Sequence, residues 1–212
     1  KAYEMVLQGG AIWKSYGLTI TMTLTGTLVG LGIISMTGYA LQRKYFPFRN
    51  AISFYIYFTT LFSAGLAPYY LLMTQTYKLQ DNYLAVWLPL LMSSWLIILM
   101  KNFVKSIPHE ITESGKIDGA GDMKIFTALI LPMLKPILAT IALLSFRQGW
   151  NEYILPLVFT MTNDKLRPLT VGVNMLKNAG DGTAAWNIMF AGATISIVPI
   201  LIVYCCFSRF FM

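Results

Sequence analysis

Residues 15–41 read SYGLTITMTLTGTLVGLGIISMTGYAL and contain no charged side chain. A membrane-spanning helix needs roughly 20 mostly apolar residues, because each residue adds about 1.5 Å across a hydrocarbon layer about 30 Å thick. The alternating threonines between Thr19 and Thr27 are typical of a strand, but the uncharged run is far too long for one strand. This stretch therefore predicts a membrane-spanning helix.

Four further stretches have the same character, which indicates that the chain is embedded in a membrane. The chain of 212 residues is 56% hydrophobic and only 12% charged, about half of the charged fraction of a soluble domain. The additional stretches are residues 51–76, 82–100, 125–146 and 184–208. We therefore expect an all-α, polytopic membrane helical bundle in which residues 1–212 form a single transmembrane domain with five visible spans.

The basic residues lie beside these spans and predict their orientation. The net charge of +7 would suggest nucleic acid in a soluble protein, but clusters of Lys and Arg next to spans mark cytoplasmic loops. One loop carries Arg43, Lys44 and Arg49, and a second is flanked by Lys101, Lys105, Lys116 and Lys124. Two spans separate these loops, so both are predicted to be cytoplasmic.

Prolines and small residues predict where the spans bend and pack. Pro68 is expected to kink the second span, and Pro132 and Pro136 to bend the start of the fourth. Gly26 and Gly30 have a spacing that allows two membrane helices to approach closely.

Residues 101–124 differ from the spans, since they hold eight of the 25 charged residues. Pro108 predicts the start of a short amphipathic helix, and Gly119 and Gly121 predict its end. Glu113 and Lys116 are spaced so that they can form an ion pair. The apolar side of this helix is expected to consist of Ile111, Ile117 and Ala120. An ordinary solvated loop helix is the alternative.

The chain offers no motif for bond chemistry. His109 has no partners at metal-ligand spacing, no phosphate-binding loop ends in Gly-Lys-Ser or Gly-Lys-Thr, and Cys205 and Cys206 are interpreted as buried apolar filler. The predicted spans offer almost no ionisable group for a proton relay. We therefore expect a non-catalytic protein without bound metal or cofactor.

A solute pathway can be predicted only from residue chemistry. Sugar sites use stacking aromatic rings and hydrogen-bonding side chains. The candidates are Tyr69, Tyr70, Trp150, Asn151, Glu152 and Tyr153. Glu152 is either functional or merely solvated at the membrane surface. Four basic residues on the predicted outer side are compatible with an acidic solute, and equally with a partner protein or lipid: Lys78, Lys165, Arg167 and Lys177.

The cytoplasmic segment carries a recognisable motif. Permeases of ABC importers have Glu-Ala-Ala, three residues, Gly, nine residues and then Ile-x-Leu-Pro. Residues 113–132, ESGKIDGAGDMKIFTALILP, fit this spacing with Glu113, Gly119, Leu131 and Pro132 in place. Ser114 and Gly115 replace the alanines, and Leu129 replaces the isoleucine. The chain resembles the carbohydrate-uptake branch of these permeases, in particular MalG-like subunits of the LplC/YtcP type.

The resemblance implies a location in the bacterial cytoplasmic (inner) membrane, a fold, partners and site residues. It implies the type I ABC importer permease fold with six spans, of which the first is expected to be missing here. Residues 107–120 correspond to a coupling helix that docks on a cytoplasmic ATPase. The implied coupling residues are Glu110, Glu113, Ser114, Gly115, Lys116, Asp118, Gly119, Leu131 and Pro132. Ser114 and Gly115 are small enough for close approach to that partner.

The implied assembly is a heterodimer with a homologous sister permease. Two ABC ATPase subunits hold ATP and Mg²⁺, and an extracellular or periplasmic solute-binding protein delivers an oligosaccharide. The segment with Lys177, Asn178, Ala179, Gly180 and Asp181 corresponds to the loop that probes the binding protein. The alternatives are a permease for another small solute, such as an amino acid, and a non-transport membrane scaffold.

Overall fold

The fold is an assembly of helices whose bounds follow the uncharged runs closely. A computed structural model of the chain describes residues 3–4, 11–160, 163, 166–176 and 183–208. The helices are α1 (Ala11–Ala40), α2 (Arg49–Leu61), α3 (Leu66–Thr76), α4 (Tyr83–Leu91), α5 (Ser94–Lys105), α6 (His109–Ile117), α7 (Asp122–Met133), α8 (Lys135–Asn151), α9 (Ile154–Phe159), α10 (Leu169–Met175) and α11 (Thr183–Ser208).

The helices reproduce the five predicted spans, two of them in bent form. Three helical stretches are long and apolar enough to cross a membrane, and up to five if each bent pair counts as one span. The α2–α3 pair bends by 116° and the α7–α8 pair by 81°. The first bend follows an unwound segment, Phe62–Gly65, just before Pro68, and the second lies between Pro132 and Pro136. The proline-based predictions of both bends are confirmed.

The third span also contains a break, which the sequence analysis did not anticipate. Met92 and Ser93 have extended backbone angles, so α4 ends at Leu91 and α5 begins at Ser94. Pro89 lies inside α4, where its missing N–H weakens the last turn of the helix. Three of the five spans are therefore interrupted within the described residues.

Helix α1 is the centre of the bundle and packs against α4, α5, α8 and α10. Close approach is possible because glycines face its neighbours. A Cβ atom on Gly30 would lie 3.2 Å from the Leu91 carbonyl oxygen, and one on Gly26 would lie 3.3 Å from the Leu90 Cβ. The predicted packing role of these glycines is confirmed.

The threonines of α1 are accommodated by a helix, as predicted. The Thr19 hydroxyl donates to the Ser15 carbonyl at 2.8 Å, and that of Thr21 donates to the Gly17 carbonyl at 2.8 Å. Thr25 donates to the Thr21 carbonyl at 2.6 Å. Bonding to the carbonyl four residues earlier satisfies a hydroxyl inside a helix.

The largest core lies at the end of the bundle that carries Arg43, Lys44, Arg49, Lys101, Lys105, Lys116 and Lys124, which we call the basic end. Its buried members come from α1, α2, α5, α7 and α8. They include Ile34, Ile56, Ile97, Met100, Ile125, Ile130, Leu134 and Ile141. Polar contacts tie the same helices together. Lys101 Nζ donates to Ser53 Oγ at 2.8 Å, and Gln42 Nε2 donates to the Lys101 carbonyl at 2.8 Å.

Smaller cores fill the opposite end, where α9 and α10 fold back on α1 and α4. Phe159 is 1% exposed and packs with Met22, Ala85 and Val86. The Leu169 backbone N–H donates to Thr19 Oγ1 at 2.8 Å, which anchors α10 on α1. On α11, Cys205 and Cys206 are exposed, so their interpretation as buried filler is wrong for the chain on its own.

Candidate functional site

The predicted cytoplasmic helix is present as α6, and its ends are built as the sequence indicated. Pro108 precedes the first helical residue, His109. Gly119 has φ +75°, a left-handed conformation that glycine adopts without a steric penalty. The Gly119 N–H donates to the Lys116 carbonyl at 3.0 Å, and the Ala120 N–H donates to the Gly115 carbonyl at 2.9 Å. This pair of bonds is a Schellman motif, which terminates the helix sharply.

The faces of α6 differ from the prediction at two positions. Gly115 is buried, and a Cβ atom there would lie 2.9 Å from Leu129 Cδ1 and 3.0 Å from Ile125 Cγ1. Its small size therefore serves contact with α7 of the same chain, and not the close approach to a partner that we expected. Ile117 is 86% exposed, so it lies outside the apolar side formed by Ile111 and Ala120, which pack on the core.

The outward face of α6 is polar and charged along its length, with Ile117 as an exposed apolar side chain between Lys116 and Asp118. Glu110, Glu113, Ser114 and Asp118 are exposed. The spacing of Glu113 and Lys116 predicted an ion pair, but the two side chains do not form one. Lys116 instead places Nζ 4.6 Å from the centre of the Tyr45 ring. This cation–π contact attaches α6 to the loop that follows α1. The helix is thus packed against its own chain on one side and uncovered on the other.

An ion pair holds the start of α7 against the same loop. The Arg43 guanidinium donates to the Asp122 carboxylate and also, at 2.5 Å, to the Tyr39 hydroxyl. Burial of the Arg43 side chain disfavours its charge, but these two bonds outweigh that penalty, so the pKa of Arg43 is raised above its ordinary value. Arg43 therefore stays cationic at every physiological pH and keeps α7 in place.

The end of the motif lies where α7 bends into α8. Residues Ile125–Ile130 form a π-helical turn, in which the Leu131 N–H donates to the Phe126 carbonyl. Pro132 follows and is exposed, while Leu131 packs on the basic-end core. Proline cannot donate to the preceding turn, which is a usual cause of such irregular helix geometry. The motif is therefore a continuous structural unit from α6 to the bend.

The predicted solute-path residues do not form one surface. The Tyr69 hydroxyl donates to the Ala85 carbonyl at 2.9 Å, and both Tyr69 and Tyr70 pack with Phe159. Trp150 is 2% exposed, and its indole N–H donates to the Ser196 carbonyl at 3.0 Å.

Two further candidates are engaged in local contacts. Glu152 Oε1 accepts from the Leu155 N–H at 3.3 Å, and the Tyr153 hydroxyl is bonded to the Asn174 amide. These contacts give Tyr69, Trp150, Glu152 and Tyr153 structural partners within the chain.

Asn151 also has a local contact, since its Nδ2 donates to the Arg147 carbonyl at 3.0 Å, but it lines an open groove as well. The groove has a volume of about 220 Å³ and lies between α5 and α8. Its lining consists of Trp95, Leu96, Leu144, Arg147, Gln148 and Asn151, and we call it the Arg147 groove. Sequence reasoning placed Arg147 at the end of a span and missed the groove. The available signal was the helical spacing of Arg147, Gln148 and Asn151, which puts the three on one face of α8.

The predicted binding-protein contact, Lys177–Asp181, lies outside the described residues. The same holds for Lys165, one of the outer basic residues. Their roles remain predictions.

Comparisons with known proteins agree with the geometry. Polygalacturonan/rhamnogalacturonan transport system permease protein YtcP of Bacillus subtilis is 30% identical, over 96% of this chain and 75% of that protein. Protein LplC of the same organism is 31% identical, over 96% and 72%. The sn-glycerol-3-phosphate transport system permease protein UgpE of Escherichia coli is 26% identical, over 94% and 71%.

A solved structure is similar over the whole chain. It is a crystal structure of a bacterial ABC transporter involved in the import of the acidic polysaccharide alginate. The TM-score is 0.90 at 30% identity, covering 100% of this chain and 79% of the other. The predicted importer permease fold is confirmed. A family model matches residues 29–211, and the chain belongs to the family of binding-protein-dependent transport system inner membrane components.

Proposed function

We propose that this chain is one permease subunit of an ATP-driven importer of oligo- or polysaccharides and that it catalyses no reaction itself. The names of YtcP and of the alginate transporter support a polysaccharide substrate, and they favour an acidic one. ATP and Mg²⁺ belong to two partner ATPase subunits in this proposal. A solute-binding protein delivers the saccharide and contacts the segment Lys177–Asp181.

The observation that carries the coupling part of the proposal is the uncovered face of α6. A large apolar side chain such as Ile117, 86% exposed at the basic end, is costly in water unless a partner covers it. Around it lie the exposed acids Glu110, Glu113 and Asp118 together with Ser114. The ATPase would meet a helix that packs on α7 through Gly115, is attached to the loop after α1 through Lys116 and ends sharply at Gly119. The motif continues along α7 up to Leu131 and Pro132. A rigid helix of this kind can transmit movement.

The sister permease is supported by the α2–α3 bend. Non-helical backbone at membrane depth has to be covered by protein or to line a water-filled cavity, because lipid cannot satisfy its polar groups. The unwound residues 62–65 are exposed in this chain. Beside them lies a row of exposed rings, with Phe58 and Phe62 stacked at a centroid distance of 4.6 Å. A homologous subunit placed on this face would cover both features.

The test is purification of the assembly from its native operon, followed by ATPase assays in lipid. We expect a sister permease and two ATPase copies to co-purify. Binding protein loaded with an oligogalacturonate or an alginate oligosaccharide should stimulate ATP hydrolysis, and the empty binding protein should stimulate it less. Purification of the chain without an ATPase would contradict the proposal and favour the scaffold alternative.

A second candidate substrate is a small solute that is not a saccharide. The similarity to UgpE supports an organophosphate such as sn-glycerol-3-phosphate, and the sequence left an amino acid open as well. Stimulation by one of these solutes, with no response to oligosaccharides, would retain the importer and replace its substrate.

A further inference from the structure

The Arg147 groove combines the side chains that an anionic sugar unit requires. Trp95 is 55% exposed, which leaves most of its indole face uncovered. Arg147, Gln148 and Asn151 are directed to the same groove of about 220 Å³. Ligand pockets for whole drug-sized molecules measure about 300–1,000 Å³. The groove is smaller, so it suits one sugar unit of a longer chain.

The groove lies within the hydrocarbon layer. Trp95 precedes Lys101 by six residues and Lys105 by ten on the same helix, which places it about 9 Å and about 15 Å from these basic residues along the helix axis. Half of the hydrocarbon layer is about 15 Å thick. Arg147 shares the groove with Trp95 and therefore lies at similar depth.

A charged side chain at this depth is costly, and such residues usually face a water-filled path or a partner and mark an ion or substrate route. Trp95 follows the break between α4 and α5 directly. Interrupted helices near the membrane midplane are where many transporters bind their solutes. Both observations favour a solute route along this groove.

The guanidinium of Arg147 has no anionic partner among the described residues. No carboxylate of the described chain lies within salt-bridge distance of it. The nearest acid along the chain, Glu152, instead accepts a hydrogen bond from the Leu155 backbone at the start of α9. The counter-anion of Arg147 therefore has to come from a molecule other than the described part of this chain.

We propose that the Arg147 groove binds one uronate unit of the passing saccharide and makes the permease selective for acidic chains. This inference rests on the proposed function. The planar guanidinium matches a carboxylate in two parallel charge-assisted hydrogen bonds. The indole of Trp95 packs on the C–H face of the sugar ring. The Gln148 amide and the Asn151 Oδ1 bind its hydroxyl groups, while the Asn151 Nδ2 donates to the Arg147 carbonyl at 3.0 Å.

The experiment uses the complete importer in proteoliposomes with its own binding protein. Two probes are compared, an oligogalacturonate and the same oligosaccharide with its carboxyl groups reduced to alcohols. We expect Arg147→Gln to lower uptake of the charged probe at least tenfold and that of the neutral probe by less than twofold. Arg147→Lys keeps the charge but loses the bidentate geometry, so it should fall between wild type and Arg147→Gln. Trp95→Ala should lower uptake of both probes.

Lys105→Gln is the matched control, because it removes one positive charge from the same pair of helices at the exposed basic end. It should leave the uptake of both probes unchanged. The binding protein is the same in every sample, so its own preference cancels in each ratio of variant to wild type. If the binding protein delivers only the charged probe, the inference is tested by the uptake of that probe alone, compared among wild type, Arg147→Lys and Arg147→Gln.

Several outcomes would overturn the inference. If Arg147→Gln takes up the charged probe as fast as the wild type does, the guanidinium has no role in binding the saccharide. An equal loss with both probes, or loss of the sister permease from the purified complex, would assign Arg147 to a subunit contact. Uptake of neutral saccharides alone by the wild type would overturn the groove's selectivity and leave the proposed function intact. Uptake of no saccharide at all would refute both.

Discussion

The basic end and the Arg147 groove are built from the same helices but are completed in different ways. At the basic end, α5 and α8 bury Ile97, Met100 and Ile141 in the largest core of the chain. Less than two turns away, the same two helices leave a groove between Trp95 and Arg147. At the basic end Arg43 and Lys116 have partners within the chain, although the outward face of α6 stays uncovered. In the groove, Arg147 itself faces open space.

Charged groups with partners in the same chain indicate a structural role, whereas a charged group without one indicates contact with another molecule. Arg43 donates hydrogen bonds to Asp122 and Tyr39, and Lys116 makes a cation–π contact with Tyr45. Arg147 finds no such partner among the described residues. A self-completed end suits a coupling element that must move as one body, because close-packed interiors deform little. An incomplete groove at membrane depth suits transient contact with a solute.

The largest effect is expected from a substitution at Gly38, which tests how tightly the basic end is packed. A Cβ atom there would lie 2.5 Å from Met100 Cγ, 3.0 Å from Met100 Cβ and 3.2 Å from the Lys101 backbone nitrogen. These atoms are close to the backbone and move only with α5. Overpacking of this kind costs about 1–3 kcal/mol. We expect Gly38→Ala to lower the free energy of unfolding by that amount, measured from the thermal denaturation of the solubilised complex.

Gly32→Ala is the control for this variant, since it lies on the same helix with nothing within 4 Å of its Cβ position. Its effect should stay within about 0.5 kcal/mol, as for most uncrowded surface changes. Equal stability of the two variants would mean that the contact between α1 and α5 at Met100 is looser than described.

The spans could be predicted from the sequence because the thickness of the bilayer sets their length. The positions of two bends followed from Pro68, Pro132 and Pro136, whose missing N–H groups have the same effect in any helix. The break at Met92–Ser93 and the exposure of Arg147 were missed. The break had a local signal in Pro89, which was overlooked. The exposure of Arg147 depends on which helix face is turned toward a neighbour, and a run of uncharged residues carries little information about that.

The predicted site residues also divide into those set by local sequence and those set by packing against another helix. The ends of α6 follow from local chemistry at Pro108 and Gly119, and both are where the sequence indicated. Gly115 and Ile117 were assigned to the wrong sides, because their environment is decided by α7, which packs on α6 only in the folded chain.

A change of intermediate size tests whether α6 has to end where it does. Gly119 has φ +75° with nothing within 4 Å of its Cβ position, so a substitution there strains the backbone without a steric clash. A β-branched residue is strongly disfavoured in this conformation, whereas asparagine tolerates it. We expect Gly119→Val to reduce ATPase stimulation by loaded binding protein about tenfold, with normal amounts of chain in the membrane. Gly119→Asn should retain most of it.

Gly121→Val is the matched comparison for Gly119→Val. Gly121 has φ −67° and no atom within 4 Å of its Cβ position, so valine fits there without strain. It should leave the stimulation near the wild-type level. If both valine variants behave alike, the sharp end of α6 has no part in coupling, and the basic end is a structural core only.

The smallest expected effect concerns the ion pair between Arg43 and Asp122. Their side chains are 16% and 72% exposed, and pairs that reach water contribute about 1 kcal/mol or less. We expect Asp122→Asn to lower the free energy of unfolding by no more than about 1 kcal/mol, and the loss to shrink in high salt because ions screen exposed charges. A double-mutant cycle with Arg43→Gln isolates the pair from the Tyr39 bond. A coupling energy well above about 1 kcal/mol would show that charge pairing, and not the apolar core, completes the basic end. In that case the contrast with the unpaired Arg147 would be one of electrostatics more than of packing.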